Sequence, residues 1–245
     1  KTNVTVDAEK VRTNDREVQE LAARGLASKI KALDEFWAQQ ILTKLKSHAG
    51  QNVHPGPYTY AAGTTTIPAA EYNLSVIPEI MLDAMMNKLG NAYYINNGDL
   101  WIPYTNAQLN AGNLDGKGDL ARIQQLRMYF DMYNFSAAAL TESIFAVAPS
   151  AIAFTTKTRY SSTPEVIGGK VGQTRYTVPS SVIPGVNYDV IYELSCKTVG
   201  TQDHLMHAWR VITRGGVFLN PESCPITIGE DTIQRTGVLS YTKGA

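Results

Sequence analysis

His204 and His207 are the closest pair of histidines in the chain, and their spacing raises the question of a shared metal. They fall in a run of alternating polarity that reads as a β-strand. Positions three apart on a strand face opposite sides, so the two rings cannot chelate one ion unless the strand breaks between them. Asp115-Gly116-Lys117-Gly118-Asp119 has the flavour of a calcium loop. It lacks the alternating oxygen ligands and the closing glutamate that such a loop needs. Gly112, Gly116 and Lys117 approach a phosphate-binding loop, but the glycine spacing is one residue short. Gly118 also stands where a Ser or Thr hydroxyl is required. Neither the dinucleotide fingerprint G-x-G-x-x-G nor a G-x-S-x-G nucleophile elbow is present. Asp131, between Phe130 and Met132, is a candidate buried carboxylate. Such groups more often tie down backbone than perform acid–base chemistry. His48 reads as a residue at a helix end and His54 as part of a proline-rich loop. Cys196 sits on the apolar side of its strand and reads as packing rather than as a nucleophile. With Cys224 it makes no disulfide framework, so a reduced compartment is the default. The expectation is therefore no catalytic, cofactor-binding or metal residues, no cofactor, and a protein that is not an enzyme.

The elements that would position these residues follow from periodicity. Val18, Leu21, Ala22, Leu26, Ile30, Leu33, Trp37, Ile41 and Leu45 recur in steps of three and four, which predicts one long helix over residues 14–48. Asn14 and Glu17 have capping-box spacing and Gly50 is the expected stop. Gly25 weakens the middle by up to ~1 kcal/mol relative to alanine and would permit a bend. Pro55, Gly56, Pro57, Gly63 and Pro68 make residues 51–74 an extended connection. A second helix is predicted from Pro78 to Leu89, with Glu79 and Asp83 at its positive end, Lys88 at its negative end and Gly90 after it. Tyr93–Ile95 and Leu100–Ile102, joined through Asn96-Asn97-Gly98-Asp99, read as a hairpin. A glycine-rich loop covers 110–118 and a short helix 119–126, leading into 128–135. Short strands flank Pro149. The last third is β-rich. Tyr188, Val190, Tyr192, Leu194 and Cys196 point one way, with Asp189, Glu193, Ser195 and Lys197 sharing the other face with Ile191. Leu205, His207, Trp209 and Val211 alternate with Met206, Ala208, Arg210 and Ile212, so the two strands form a long antiparallel pair.

Composition bounds the class. Hydrophobic residues make up 44% and charged residues 18% of the 245 positions. That charge content is well below the roughly 25% of an ordinary soluble domain, which suggests that something other than water covers part of the surface. Lys plus Arg and Asp plus Glu both number 22, so no global field draws the chain to nucleic acid or anionic membrane. Residues 49–150 are charge-poor and mildly acidic, with four basic and eight acidic side chains. No apolar run approaches a membrane span, and there is no signal peptide. The chain opens on Lys1 rather than Met, which fits a processed or incomplete polypeptide.

A long helix, a helix-plus-sheet middle and long antiparallel strands, in that order, resemble the major capsid proteins of tailed bacteriophages, the HK97-like fold. Gly90-Asn91-Ala92-Tyr93-Tyr94-Ile95-Asn96-Asn97-Gly98-Asp99 is similar to the helix-to-strand passage of that family's axial domain. Tyr188-Asp189-Val190-Ile191-Tyr192-Glu193, Trp209-Arg210-Val211-Ile212 and Gly216-Val217-Phe218-Leu219-Asn220-Pro221 are similar to its peripheral-domain strands. The likeness is one of element order over most of the chain. It implies an α+β fold: residues 1–74 as spine helix and connection of a peripheral domain, 75–160 as an axial domain, and 161–245 returning to the peripheral domain.

The function implied is a homo-oligomeric shell of pentamers and hexamers around a DNA genome, assembled in the host cytoplasm and located in the virion. DNA would be held only non-specifically, no membrane would be involved, and scaffold, portal and cement proteins would be the partners. Residues 75–160 would meet their own copies around five-fold and six-fold axes. Family members carry an arm and an extended loop before the spine helix. Few residues precede it here, so either the native chain has more residues upstream, or another segment replaces that loop, with Gln51–Asn73 as the candidate that reaches out to a neighbour. The alternatives are an encapsulin-like shell, a metal-dependent hydrolase with a split site, and a ligand-binding β-rich module.

Overall fold

The computed structural model describes residues 2–7, 15–90, 92–96, 100, 103, 105–106, 128–130, 143–149, 151–166, 173–180, 182–199, 201–219, 226–228, 231–233 and 236–244. It is an α+β protein with one long helix and two larger sheets, one antiparallel and one mixed. The chain divides into two compact units, residues 1–38 with 154–216, and residues 39–153 with 217–245. Residues 39–74 and the C-terminal segment thus join the middle section. The sequence-based division had assigned both to the peripheral part.

The first unit holds strand β1 (Thr2–Asp7) and most of helix α1 (Asp15–Ser47). Its sheet has the order β1-β11-β10-β9-β8, from β8 (Glu165–Val166), β9 (Gln173–Pro179), β10 (Asn187–Val199) and β11 (Gln202–Ile212). Every pair is antiparallel. The register sets Val190 opposite Val211, Tyr192 opposite Trp209 and Leu194 opposite His207. One face of the long pair therefore carries the apolar set that alternation predicted. Beneath α1, Val18, Ala22, Ile30, Leu33 and Trp37 are buried together with Val6, Tyr188, Val190 and Val211.

Two members of the predicted stripe behave otherwise. Leu21 is 46% exposed, and Ile41 packs against the core of the second unit rather than on the strand pair. The helix is assigned to the first unit up to Ala38 and to the second from Gln39, so its apolar residues divide between the two. Gly25 also differs from expectation. A Cβ there would lie 2.7 Å from Cγ1 of Val4, so the glycine lets β1 approach the helix closely.

The second unit is built on a six-stranded mixed sheet of order β2-β3-β15-β6-β4-β5. Its strands are β2 (Thr59–Ala61), β3 (Thr64–Ile67), β4 (Tyr93–Asn96), β5 (Met128–Phe130), β6 (Ser143–Val147) and β15 (Val238–Lys243). Helix α2 spans Val76–Met86, two residues ahead of the predicted start. Ile67, Val76, Ile80, Leu100, Phe145 and Tyr241 lie in its core.

Two expectations fail in this unit. Residues 93–102 do not form a hairpin, because β4 pairs with β6 on one side and β5 on the other, and the described residues Leu100, Pro103, Thr105 and Asn106 are helical. Both edges of β4 are taken by distant strands, which leaves no edge for a local return. Gln51–Asn73 is also not an outstretched loop. β2 and β3 turn through Ala62 and Gly63, both at positive φ, and β3 pairs in parallel with β15. The remaining strands are β7 (Ile152–Thr156), β12 (Gly215–Leu219), and the pair β13 (Ile226–Ile228) and β14 (Asp231–Ile233). The glycine-rich loop, the short helix at 119–126 and Asp131 lie outside the described residues.

Candidate functional site

In the first unit, strand register gathers four rings into one wall. Tyr192 and Trp209 face each other across β10 and β11, with centroids 5.1 Å apart. His207 stacks near-parallel to Trp209 at 6.0 Å and meets the Tyr192 hydroxyl through Nδ1 at 2.9 Å. Tyr176 joins from β9, and the Trp209 indole N–H donates to its hydroxyl. These rings line a cleft of about 550 Å³, with Val18 and Gln19 of α1, Pro164 and Thr174 also on its lining. Burial pushes the Tyr176 and Tyr192 hydroxyls up from their ordinary value, so both stay neutral at neutral pH. A flat aromatic wall with neutral polar tips suits stacking and neutral hydrogen bonding. Among the described residues, no carboxylate, lysine, arginine or cysteine lines it.

Two buried carboxylates elsewhere in this unit act as fasteners. Asp34, fully buried on α1, accepts from Ser180 Oγ at 2.6 Å and from the buried Tyr188 hydroxyl. Ser180 Oγ also accepts the Val182 and Ile183 amides at 3.1 and 2.8 Å, so one carboxylate holds the β9–β10 turn onto the helix. Asp189 of β10 pairs with Arg214 and accepts the Arg159 amide at 3.1 and 3.2 Å. His204 Nδ1 meets Asp7 at 3.0 Å, tying β1 to β11.

The second unit buries an amide and carboxylate cluster between the connection and α2. Asn52 Nδ2 donates to Thr65 Oγ1 at 3.0 Å and to Asp83 Oδ2 at 3.3 Å. Asn87 Nδ2 donates to Asn52 Oδ1 and to the Asp83 carbonyl, both at 2.8 Å. Asn87 Oδ1 accepts the Val53 amide, Asn52 Oδ1 accepts that of His54, and the Tyr241 hydroxyl reaches Asp83 Oδ2 at 3.4 Å. Asp83 is 4% exposed, and burial raises its pKa against the opposing pull of the bonds from Asn52 and Tyr241. These bonds go to backbone and neighbouring side chains, so the cluster fixes the 51–54 path to the end of α2.

The outer face of α2 is different. Leu82, Met85 and Met86 are 58%, 66% and 51% exposed, and Pro78 beside them is also exposed. Glu79 accepts from the Tyr58 hydroxyl. Lys88 is exposed just past the helix, at φ 59°.

His204 and His207 face opposite sides of the sheet, and no group of three metal-ligating side chains occurs among the described residues. His48 and His54 are exposed. Cys196 is free and exposed rather than packed, a correction. Strand alternation put it on the apolar face, but Ser195–Thr198 are all exposed, so no layer of described residues covers that end of β10. Gly112, Asp115, Gly116, Lys117, Gly118, Asp119 and Cys224 lie outside the described residues. Among the described residues no helix is long and apolar enough to cross a membrane.

Sequence reading missed the roles of Asp34, Asn52, Asn87 and Tyr241. A polar residue inside the apolar stripe of α1 was the one available signal, and it marks Asp34. Comparison with protein-family models, with curated proteins and with solved structures finds no match to this chain.

Proposed function

We infer that this chain is a structural protein that assembles with its own copies into a closed shell, in the manner of the capsid proteins that its element order resembles. The observation that carries this reading is the make-up of the two units. One combines a 33-residue helix with antiparallel strands of 13 and 11 residues. The other assembles a mixed sheet from the middle of the chain and its C-terminal strand. The chain passes between the two units at residues 38–39, 153–154 and 216–217, and a shell of pentamers and hexamers built from one sequence requires joints between its parts. The low content of charged residues supports the same reading. On it, the protein is a virion component with pentameric and hexameric assemblies, and an encapsulin-like shell around a protein cargo is the nearest variant. Negative-stain imaging with sedimentation of the expressed protein tests it. Closed shells or rings are expected. A chain that stays monomeric at high concentration, with its native N-terminus restored and any scaffold supplied, overturns it.

A second reading rests on the aromatic cleft of the first unit. Its 550 Å³ lie in the range of small-molecule pockets, and its lining is mainly apolar with a few polar tips. A ligand-binding β-rich module would remain a soluble monomer, and the same sedimentation experiment separates the two.

A further inference from the structure

The outer face of α2 has the pattern of a two-fold contact between two copies of this chain. Pro78, Leu82, Met85 and Met86 follow the three- and four-residue steps of one helical face, and all are exposed. The inner face is taken by Val76, Ile77, Ile80, Asp83 and Ala84. The helix thus has two apolar sides, of which one is buried and the other is exposed among the described residues. The acidic Glu79 lies in the first turn, and the basic Lys88 lies just past the C-terminal end.

We propose that this face is an isologous docking surface, on which α2 of one copy lies antiparallel to α2 of another. The register follows from the residues. If the two-fold axis passes between Asp83 and Ala84, Leu82 of each copy meets Met85 of the other. The same axis brings Glu79 of each copy level with Lys88 of the other. One symmetry operation therefore matches the apolar centre and both charged ends. A parallel pairing would set Glu79 against Glu79 and Lys88 against Lys88. Antiparallel packing also places each helix's positive end beside the other's negative end. Tyr58 already hydrogen-bonds Glu79, which restrains that carboxylate beside the face.

The three large side chains offer on the order of 300 Å² of apolar surface per copy, at the low end of a typical largest patch. That is well short of the ~800 Å² per partner of a standard stable interface, so the contact belongs to the weak, reversible class. It is distinct from the head-to-tail ring contacts of the shell and does not depend on them.

The experiment uses the whole chain in sedimentation velocity over a concentration series, with any shell recorded as a separate species. Wild-type protein is expected to show a monomer–dimer equilibrium in the micromolar to millimolar range. Leu82→Glu should weaken it at least tenfold with an unchanged melting curve. Glu79→Lys and Lys88→Glu should each weaken it alone. Mixed, they should associate with each other, because both charge pairs are then restored across the axis. Lys88→Glu with Glu79→Gln, which keeps an acceptor for Tyr58 and sets no like charges together, controls for local unfolding: this double variant should stay folded and associate more weakly than wild type but more tightly than Lys88→Glu alone. A wild-type dimer that Leu82→Glu leaves intact overturns the proposal. So does a mixture of the two charge variants that associates no better than either alone while both are folded. A dimer that never grows into a shell supports this contact while counting against the shell. A shell unaffected by Leu82→Glu, in a protein with no dimer, does the reverse.

Discussion

Asp34 and Tyr188 provide the sharpest test of how the first unit is held together. Both are fully buried, at 0% exposure, and the Tyr188 hydroxyl donates to a carboxylate that also receives Ser180 at 2.6 Å. Removing the carboxylate by Asp34→Ala strips the charged acceptor from a hydroxyl with no route to water. A hydrogen bond to a charged group contributes ~1.5–3 kcal/mol, and a buried donor left without its acceptor costs ~1–3 kcal/mol, so a loss of ~3 kcal/mol is expected. Tyr188→Phe removes the donor while keeping the ring, and should cost ~1.5 kcal/mol. In the Tyr188→Phe background the hydroxyl is already gone, so Asp34→Ala should then cost only ~1.5 kcal/mol, giving a coupling of ~1.5 kcal/mol in the double-mutant cycle. Urea unfolding followed by tryptophan fluorescence is the assay. Trp37 and Trp209 lie in this unit and Trp101 in the other, so the assay is run in a Trp101→Phe background in which only the first unit reports. All four proteins must be compared on that one transition, since a chain of two units need not unfold in a single step. Additivity to within ~0.5 kcal/mol would show that the two groups do not act as a pair.

Other substitutions probe separate points. Trp37 is 7% exposed, packs tilted against Phe154 with ring centroids 4.9 Å apart and donates its indole N–H to Thr213 at 2.8 Å, so Trp37→Ala should destabilise the same transition. The expected loss is ~3–5 kcal/mol, and an unmoved melting temperature would refute the placement. Gly25→Ala gains up to ~1 kcal/mol of helix propensity but sets a methyl against Val4, so it should lower the melting temperature, and Val4→Ala should relieve the loss. Asp83 has a folded pKa raised above its ordinary 3.8 by burial, so the folded state binds the proton more tightly than the unfolded chain. Its contribution is most favourable below the unfolded value and is lost as pH rises through the folded one. Asp83→Asn should remove that loss, so its stability relative to wild type should rise between pH 4 and pH 7, and a pH-independent difference would contradict the burial argument.

Local patterning determined much of this protein. Steps of three and four apolar residues drew α1 to within a residue of its observed ends, and strict alternation gave β10 and β11 their faces, because both signals lie within a few residues of chain. The same rule placed His204 and His207 on opposite faces. What failed or stayed hidden depended on partners far along the chain. Asp34 meets Ser180 and Tyr188 across 146 and 154 residues, and Asp83 meets Tyr241 across 158. The Asn-Gly turn after β4 was a sound local signal, yet β6 and β5 took both edges of that strand. Cys196 had the right alternation for a core residue, but alternation assigns a face and not a covering layer. The composition of each sheet, and which polar groups are buried with partners, rest on pairings between distant segments, and those are settled only when the whole chain packs.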